Sequence, residues 1–273
     1  MLDAGRVRAE ALGGLWTAID VVASTGSTNA DLLARATAEP DAPEGQVLVA
    51  EEQTAGRGRL GRTWTSVPGA ALTFSVLLWP VTVPPARRGW LPLLAGVAVA
   101  SAVRSVTEGG GGGVEAVLKW PNDVLVGDRK LAGILAEQSP DGSAVVIGTG
   151  INVATPADAL PVSPAGLSAI SLLVAGAAVS RELLLAEVLG QLERWYLAFR
   201  ADPDPVRTGL LDAYRPLCTT LGRRVRVELP VGRFITGVAR GIDPDGRLLV
   251  ADSPDDPPLT ISAGEVVHVR ARD

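Results

Sequence analysis

The sequence predicts an α/β domain followed by a small all-β domain, and three observations carry the prediction. Up to about residue 218, apolar runs of strand length alternate with longer alanine- and leucine-rich runs of helix length. From Thr219 the texture changes to short alternating runs with turn signals between them, such as Asp243-Pro244-Asp245-Gly246, the pattern of a small β-barrel. Between the apolar run Val47 to Ala50 and the next one lies EEQTAGRGRLGRTW (51–64), where three glycines alternate with three arginines. The expected division is 1–218 and 219–273. With 273 residues, 47% of them hydrophobic, the chain can bury a full core.

The elements follow in order. Residues 1–15 read as a short leader helix or tail, and Trp16 to Val22 as a strand. Ser24 to Asn29 is a polar turn into a helix from Asn29 to Ala38, capped by Thr28 with Asp31 in the capping-box position; by spacing alone, Ser27, Thr28 and Asn29 are a helix start. Val47 to Ala50 and Ala71 to Pro80 are buried strands, ended by the arginine loop and by Pro84-Pro85. Leu91 to Val106 has the length of a buried helix, and Gly109 to Gly113 is a mobile surface connection. Val114 to Trp120, Val124 to Val126 and Leu131 to Glu137 form a meander that brings Lys119, Asn122, Asp123 and Lys130 together at strand ends. Asp123 has a plain alternative role as a turn cap, the role that also fits Asp128. Ala144 to Ile151 is a strand whose Gly148 and Gly150 allow close approach of backbone or ligand. Pro156 to Pro164 is a loop, Ser180 caps an amphipathic helix to Phe199, and a second helix spans Pro205 to Tyr214. The closing strands are Arg224 to Leu229, Phe234 to Ile242, Arg247 to Ala251, Leu259 to Ser262 and Glu265 to Arg270. His268, the single histidine, is expected to be packed or at the surface rather than catalytic.

Composition excludes several classes. A net charge of −5 argues against a protein that coats nucleic acid, and the single cysteine, Cys218, excludes an internal disulfide and a cysteine metal cluster. Leu91 to Val103 is too short to span a bilayer, and MLDAGRVRAE has no signal-peptide apolar stretch. The expected location is therefore cytoplasmic, with no membrane association. Of the 25 basic residues only Lys119 and Lys130 are lysines. A compact ammonium is not equivalent to a planar guanidinium, so these two positions are expected to require lysine.

Glycine and arginine together make 56–64 an anion-binding loop. Gly56, Gly58 and Gly61 match G-x-G-x-x-G by spelling, but no helix follows and no Asp or Glu occurs between Glu52 and Glu108 to take a ribose. A phosphate-binding P-loop, with Arg62 in place of its lysine, fails for want of the same helix.

GRGRLGRTW (56–64), KWPNDVLV (119–126), KLAGILAE (130–137) and IGTGINV (147–153), with STGSTN (24–29), resemble biotin protein ligases in that family's order and at similar spacings. The similarity runs from about residue 16 to the end. It implies a class II synthetase-like α/β catalytic domain, with a mixed, largely antiparallel sheet flanked by helices, and a C-terminal SH3-like β-barrel. It also implies two reactions: biotin and MgATP give biotinyl-5′-AMP and pyrophosphate, then a lysine of a biotin carboxyl carrier domain attacks the adenylate. The implied catalytic residues are Arg57, Lys119, Asp123 and Lys130. Ser27, Thr28, Asn29, Gln53, Gly56, Arg57, Lys130 and Gly133 would contact biotin. Arg57, Gly58, Arg59, Arg62, Trp64, Asn122, Lys130 and Asn152 would contact ATP or the adenylate, and Asn122 and Asp123 would manage magnesium or the incoming lysine. Because the motifs begin within the first 30 residues, no N-terminal DNA-binding domain and no specific DNA binding are expected, and the chain is expected to be a monomer or homodimer. The rival readings are a lipoate or octanoate protein ligase, a non-catalytic biotin-binding protein, and a nucleic-acid module built on the arginine loop.

Overall fold

The computed structural model describes residues 1–11, 13–108, 113–161, 168–229, 233–253, 255–262 and 264–268. Its centre is a seven-stranded sheet in the order β1-β2-β3-β7-β6-β5-β4. The strands are β1 (Ala18–Thr25), β2 (Gln46–Gln53), β3 (Ala71–Leu78), β4 (Ala116–Lys119), β5 (Asp123–Val126), β6 (Arg129–Gln138) and β7 (Val145–Asn152). β1 and β2 run parallel and the other neighbours antiparallel, which is the mixed, largely antiparallel sheet expected.

Strand alternation separates the two faces of this sheet. On β3, Leu72, Phe74, Val76 and Leu78 enter the main core beneath helices α3 (Trp90–Thr107), α4 (Arg181–Ala201) and α5 (Leu210–Leu217). Leu77 points the other way, into a smaller cluster with Leu32 and Ala36 of α2 (Thr28–Ala38). Along that second face the apolar residues give out towards one end, where β3 offers Ser75 and Thr73 and β7 offers Gly148 and Gly150 in register with them, with Asn152 beyond, opposite Ala71. One face is thus filled for stability, and the other is left polar and open at one end. Helix α3, the one described helix long and apolar enough to cross a membrane by composition, has 13 of its 18 residues among the buried ones and serves as the core helix expected.

Strands β8 (Arg224–Glu228), β9 (Phe234–Ile242), β10 (Leu248–Ala251), β11 (Leu259–Ile261) and β12 (Glu265–His268) form a five-stranded antiparallel sheet in the order β11-β10-β9-β8-β12. A short helix, α1 (Ala4–Ala11), packs near α4.

Three boundaries differ from expectation for physical reasons. The cap of α2 is Ser27, whose Oγ accepts from Ala30 N, and Asp31 is taken by the Thr25 hydroxyl instead of closing a capping box. The first strand starts at Ala18, because Trp16 is committed to the core, where its Nε1 donates to Leu189 O at 3.1 Å. The helix expected from Pro205 starts at Leu210: the Asp204 carboxylate accepts from Val206 N and Arg207 N in a turn, and Gly209 then reverses the chain at φ 72°. Residues 109–112 of the expected glycine loop and 162–164 of the 156–164 loop lie outside the described residues.

Candidate active site

The open end of the second face holds a cavity of about 590 Å³, roofed by the arginine loop and bounded on one side by Gly264 and Val266 at the start of β12. Among the described residues its wall carries Arg57, Arg59, Arg62, Lys119 and Lys130 against one carboxylate, Asp123. A chain of net charge −5 has collected five cations in one cavity. Such a wall concentrates anionic ligands.

The two lysines meet on that carboxylate. Lys119 and Asp123 face each other across the β4–β5 hairpin, with Lys119 Nζ 4.0 Å from Asp123 Oδ2. Lys130 Nζ, from β6, lies 2.6 Å from Asp123 Oδ1. The Lys119 side chain is 8% exposed, and burial pushes its pKa below the usual lysine value while Asp123 opposes the shift. This is the convergence at strand ends expected of the meander.

The inner end is a hydrogen-bonded network. Ser75 Oγ donates to Asn29 Oδ1 at 2.6 Å, and the Thr28 hydroxyl lies between two acceptors, 2.6 Å from Ser75 Oγ and 3.0 Å from Gln53 Oε1. Gln53 Oε1 accepts from Thr28 N at 2.8 Å, so the Gln53 amide hydrogens face away from this contact. Asn29 spends its own amide on Leu135 O and Glu137 Oε2, and Glu137 Oε2 also pairs with Arg57 at 3.2 Å. Every hydrogen-bonding atom of the Asn29 side chain is therefore engaged by protein, and its role is to tie α2 to β3 and β6. Ser27 lines the cavity beside Thr28.

The loop folds back on itself. Gly58 N donates to Arg62 O and Trp64 N to Gly56 O, with Arg59–Gly61 forming a tight turn and no helix following. Gly56 sits at the neck of this fold, facing a shallower groove on the loop's other side rather than the main cavity. Leu60 stands at the tip, 59% exposed and at φ 56°. The Trp64 indole lies on the sheet, where a Cβ at Gly150 would overlap it and one at Gly133 would lie 3.2 Å from both the ring and Lys130 Nζ. Lys130 Nζ is 5.9 Å from the ring centroid. Asn152, at the end of β7, donates to Ile170 O, and the 168–170 stretch also pairs with Lys130 through Lys130 N to Ser168 O.

Asn122 and Asp123 do not fit a protein-held magnesium. Asn122 Oδ1 accepts from Arg59 at 3.2 Å, its Nδ2 donates to Ile134 O, and both Asp123 oxygens face ammonium groups. A divalent cation needs oxygens free of such competition. Among the described residues no group of three or more His, Cys, Asp or Glu is placed to hold a metal.

Sequence reasoning missed Ser75, Thr73, Glu137 and the Ser168–Ile170 stretch. Ser75 carried a signal, being a hydroxyl inside the apolar run ALTFSVLL, fully buried in the structure. Thr73 lines the cavity, and its Oγ1 is buried without a hydrogen bond among the described residues. Ser168–Ile170 carried none, since it is brought in by pairing with β6.

Comparison with known proteins agrees with this geometry. Residues 21–152 match the biotin/lipoate A/B protein ligase family, and residues 220–269 match the biotin protein ligase C terminal domain. The chain is 44% identical to the biotin–[acetyl-CoA-carboxylase] ligase of Mycobacterium tuberculosis, over 94% of this chain and 91% of that one. It is 34% identical to the bifunctional ligase/repressor BirA of Escherichia coli, over 92% of this chain and 73% of that protein. The structure superposes on biotin protein ligase from Aquifex aeolicus in complex with biotin and ATP with a TM-score of 0.72 at 28% identity, covering 94% of this chain and all of that one. Fold, ordered motifs and relatives over nearly its whole length agree that the chain belongs to the biotin protein ligases.

Proposed function

We propose that this chain is an ATP-dependent biotin protein ligase acting on the carrier domain of a biotin-dependent carboxylase, and that the cavity just described is where both half-reactions occur. The observation that carries this is the set of five cationic side chains lining a cavity whose inner end presents the hydroxyls and amides of Thr28, Gln53 and Ser75. A neutral ring system suits the inner end and a chain of anions suits the rest.

In the first step a biotin carboxylate oxygen attacks the α-phosphorus of ATP, the P–O bond to the β-phosphate breaks, and pyrophosphate leaves with both bonding electrons. Carboxylate and triphosphate repel each other, so catalysis consists of positioning and charge neutralisation. Thr28 and Gln53 orient the biotin head, and Lys130 bridges the carboxylate and α-phosphate. Arg57, Arg59 and Arg62 close over the phosphates, while Trp64 and Asn152 hold the adenine. Magnesium would come with the phosphates of ATP and neutralise part of their charge; among the described residues no group of three or more His, Cys, Asp or Glu is placed to hold it. The loop then keeps water from the acyl phosphate. In the second step the acceptor lysine attacks the acyl carbon as a free amine, the C–O bond to AMP breaks, and a proton is released. Asp123 draws the cationic lysine side chain into place.

The test is transfer of labelled biotin to a purified carrier domain with MgATP. Transfer by the wild type and its loss in Lys130→Ala is the expected result. No transfer, with biotin and ATP both bound, refutes the proposal, and preference for lipoate in competition replaces it with the lipoate ligase reading.

A further inference from the structure

The five-stranded sheet reaches the catalytic hairpin by a path that none of the substrate-facing residues uses. Lys119 is held from both sides by the segment that leads into this sheet. Thr219 N and Oγ1 both donate to Leu118 O, at 2.8 and 3.0 Å, and Trp120 N donates to Thr220 Oγ1 at 3.1 Å. Trp120 Nε1 donates to Gly246 O at 3.1 Å, a further tie to the same sheet. The Thr220 hydroxyl is fully buried, and 3.1 Å from it stands Nε2 of His268, on β12.

We propose that His268 is a positioning residue for adenylate formation, fixing the Thr220 hydroxyl that pins the backbone next to Lys119. This rests on the ligase reading above. Thr220 Oγ1 already receives the Trp120 N–H, so its own hydrogen has one destination among the described residues, His268 Nε2. That nitrogen is bare, and Nδ1 carries the proton. A protonated ring would direct a second donor at Oγ1 and strand the hydroxyl hydrogen in a buried place. It would also put a cation beside Lys119 and Arg223. Burial and these two charges push the histidine down to about 4, so it is neutral near pH 7. The side chain thus supplies a rigid neutral acceptor, which neither a lysine nor an apolar ring provides.

Because His268 is the single histidine, its imidazole resonances assign themselves. Two-bond proton–nitrogen correlation on the full-length wild type near neutral pH is expected to show the Nδ1–H tautomer and a shift of the signals on adding biotin and ATP. The Nε2–H tautomer overturns the proposal without any variant having to fold. His268→Phe is expected to lower kcat for pyrophosphate release about tenfold, leaving KM for biotin and ATP within about twofold, as for loss of an interaction that matters in the transition state. Thr220→Val should do the same, and the two together no more than either alone. His268→Gln, which restores an acceptor, should recover most of the rate. Wild-type kcat in His268→Phe, or equal losses in Phe and Gln, refutes the role. A wild type that releases no pyrophosphate refutes the ligase reading, and the tautomer still decides the hydrogen-bond assignment.

Discussion

Replacing Asp123 with asparagine removes one charge and almost no volume at the point where the chain's two lysines meet. The two half-reactions should feel that loss unequally. Adenylate formation brings a carboxylate and a triphosphate into the cavity, and these anions take over as counter-charges for Lys119 and Lys130. Transfer instead requires a third lysine to approach two ammonium groups, 2.6 and 4.0 Å from the carboxylate that now compensates them. A carboxylate about 4 Å from an ammonium attracts it by about 4 kcal/mol at an effective dielectric of about 20. Solvent reaches this group through Lys130, whose side chain is 27% exposed, and screens part of that. A loss of about 2–4 kcal/mol slows transfer roughly 30- to 1,000-fold. The assay separates the steps: pyrophosphate release in a single turnover without acceptor, and transfer from preformed adenylate to the carrier domain. Because breaking a buried ion pair also destabilises, by about 2–3 kcal/mol for this partly exposed one, Tm should fall by roughly 4–12 °C, and the kinetics belong well below it. Equal slowing of both steps would refute the reasoning and return Asp123 to the role of a turn residue.

The remaining expectations test other parts of the cavity. Thr73→Val replaces a buried hydroxyl without a protein partner by an isostere; Tm of the ligand-free protein should hold or rise, and binding of biotin or its adenylate should weaken about 3- to 10-fold if the ligand is the hydroxyl's partner, as isothermal titration will show. Gly150→Ala places a methyl in the space of the Trp64 indole, which gives way because it sits on a loop; KM for ATP should rise about tenfold while Tm falls by only a few degrees, and an unchanged KM would show that Trp64 does not face the nucleotide. Lys119 carries a pKa lowered chiefly by burial, so the folded state disfavours its protonated form. That penalty is fully present below the folded value and is relieved as pH rises from there towards the ordinary lysine value. Lys119→Met should therefore raise Tm near neutral pH by roughly 2–8 °C, lose that advantage as pH rises, and abolish pyrophosphate release.

Most of the architecture was legible because its signals are local. A strand buried on both faces is an unbroken apolar run, as in Ala71–Leu78, and the scarcity of lysine marked Lys119 and Lys130 before any contact was known. What stayed hidden depends on pairing. Ser75 is one of two hydroxyls in an apolar strand until α2 is laid across it, when it becomes the link between Thr28 and Asn29. Asn29 was expected to contact biotin from the resemblance carried by STGSTN; it does line the cavity, and the fold adds that Leu135, Glu137 and Ser75 engage its amide. Asn122 and Asp123 were expected to manage magnesium or the incoming lysine: sequence supplies the oxygens, and only the fold shows that Arg59, Lys130 and Lys119 reach them in the ligand-free chain.

The same logic explains why the cavity is cationic in an acidic chain. Elsewhere arginines are paired with acids from other elements, as Arg181 is with Glu51 and Arg200 with Glu44, and such pairs cancel at short range. The cavity is lined by five cations, of which Lys119 and Lys130 meet on Asp123 while Arg57 reaches Glu137. Bringing them together costs repulsion and, for Lys119, burial, and a fold under selection for stability alone would have placed a second acid there. On the proposed reading, biotin carboxylate and ATP phosphates supply the further negative charge on binding, and the loop arginines are expected to hold the roof down most strongly when the reactants or the adenylate are beneath it. Closure and charge neutralisation then become one event, which protects the acyl phosphate from water for as long as it exists.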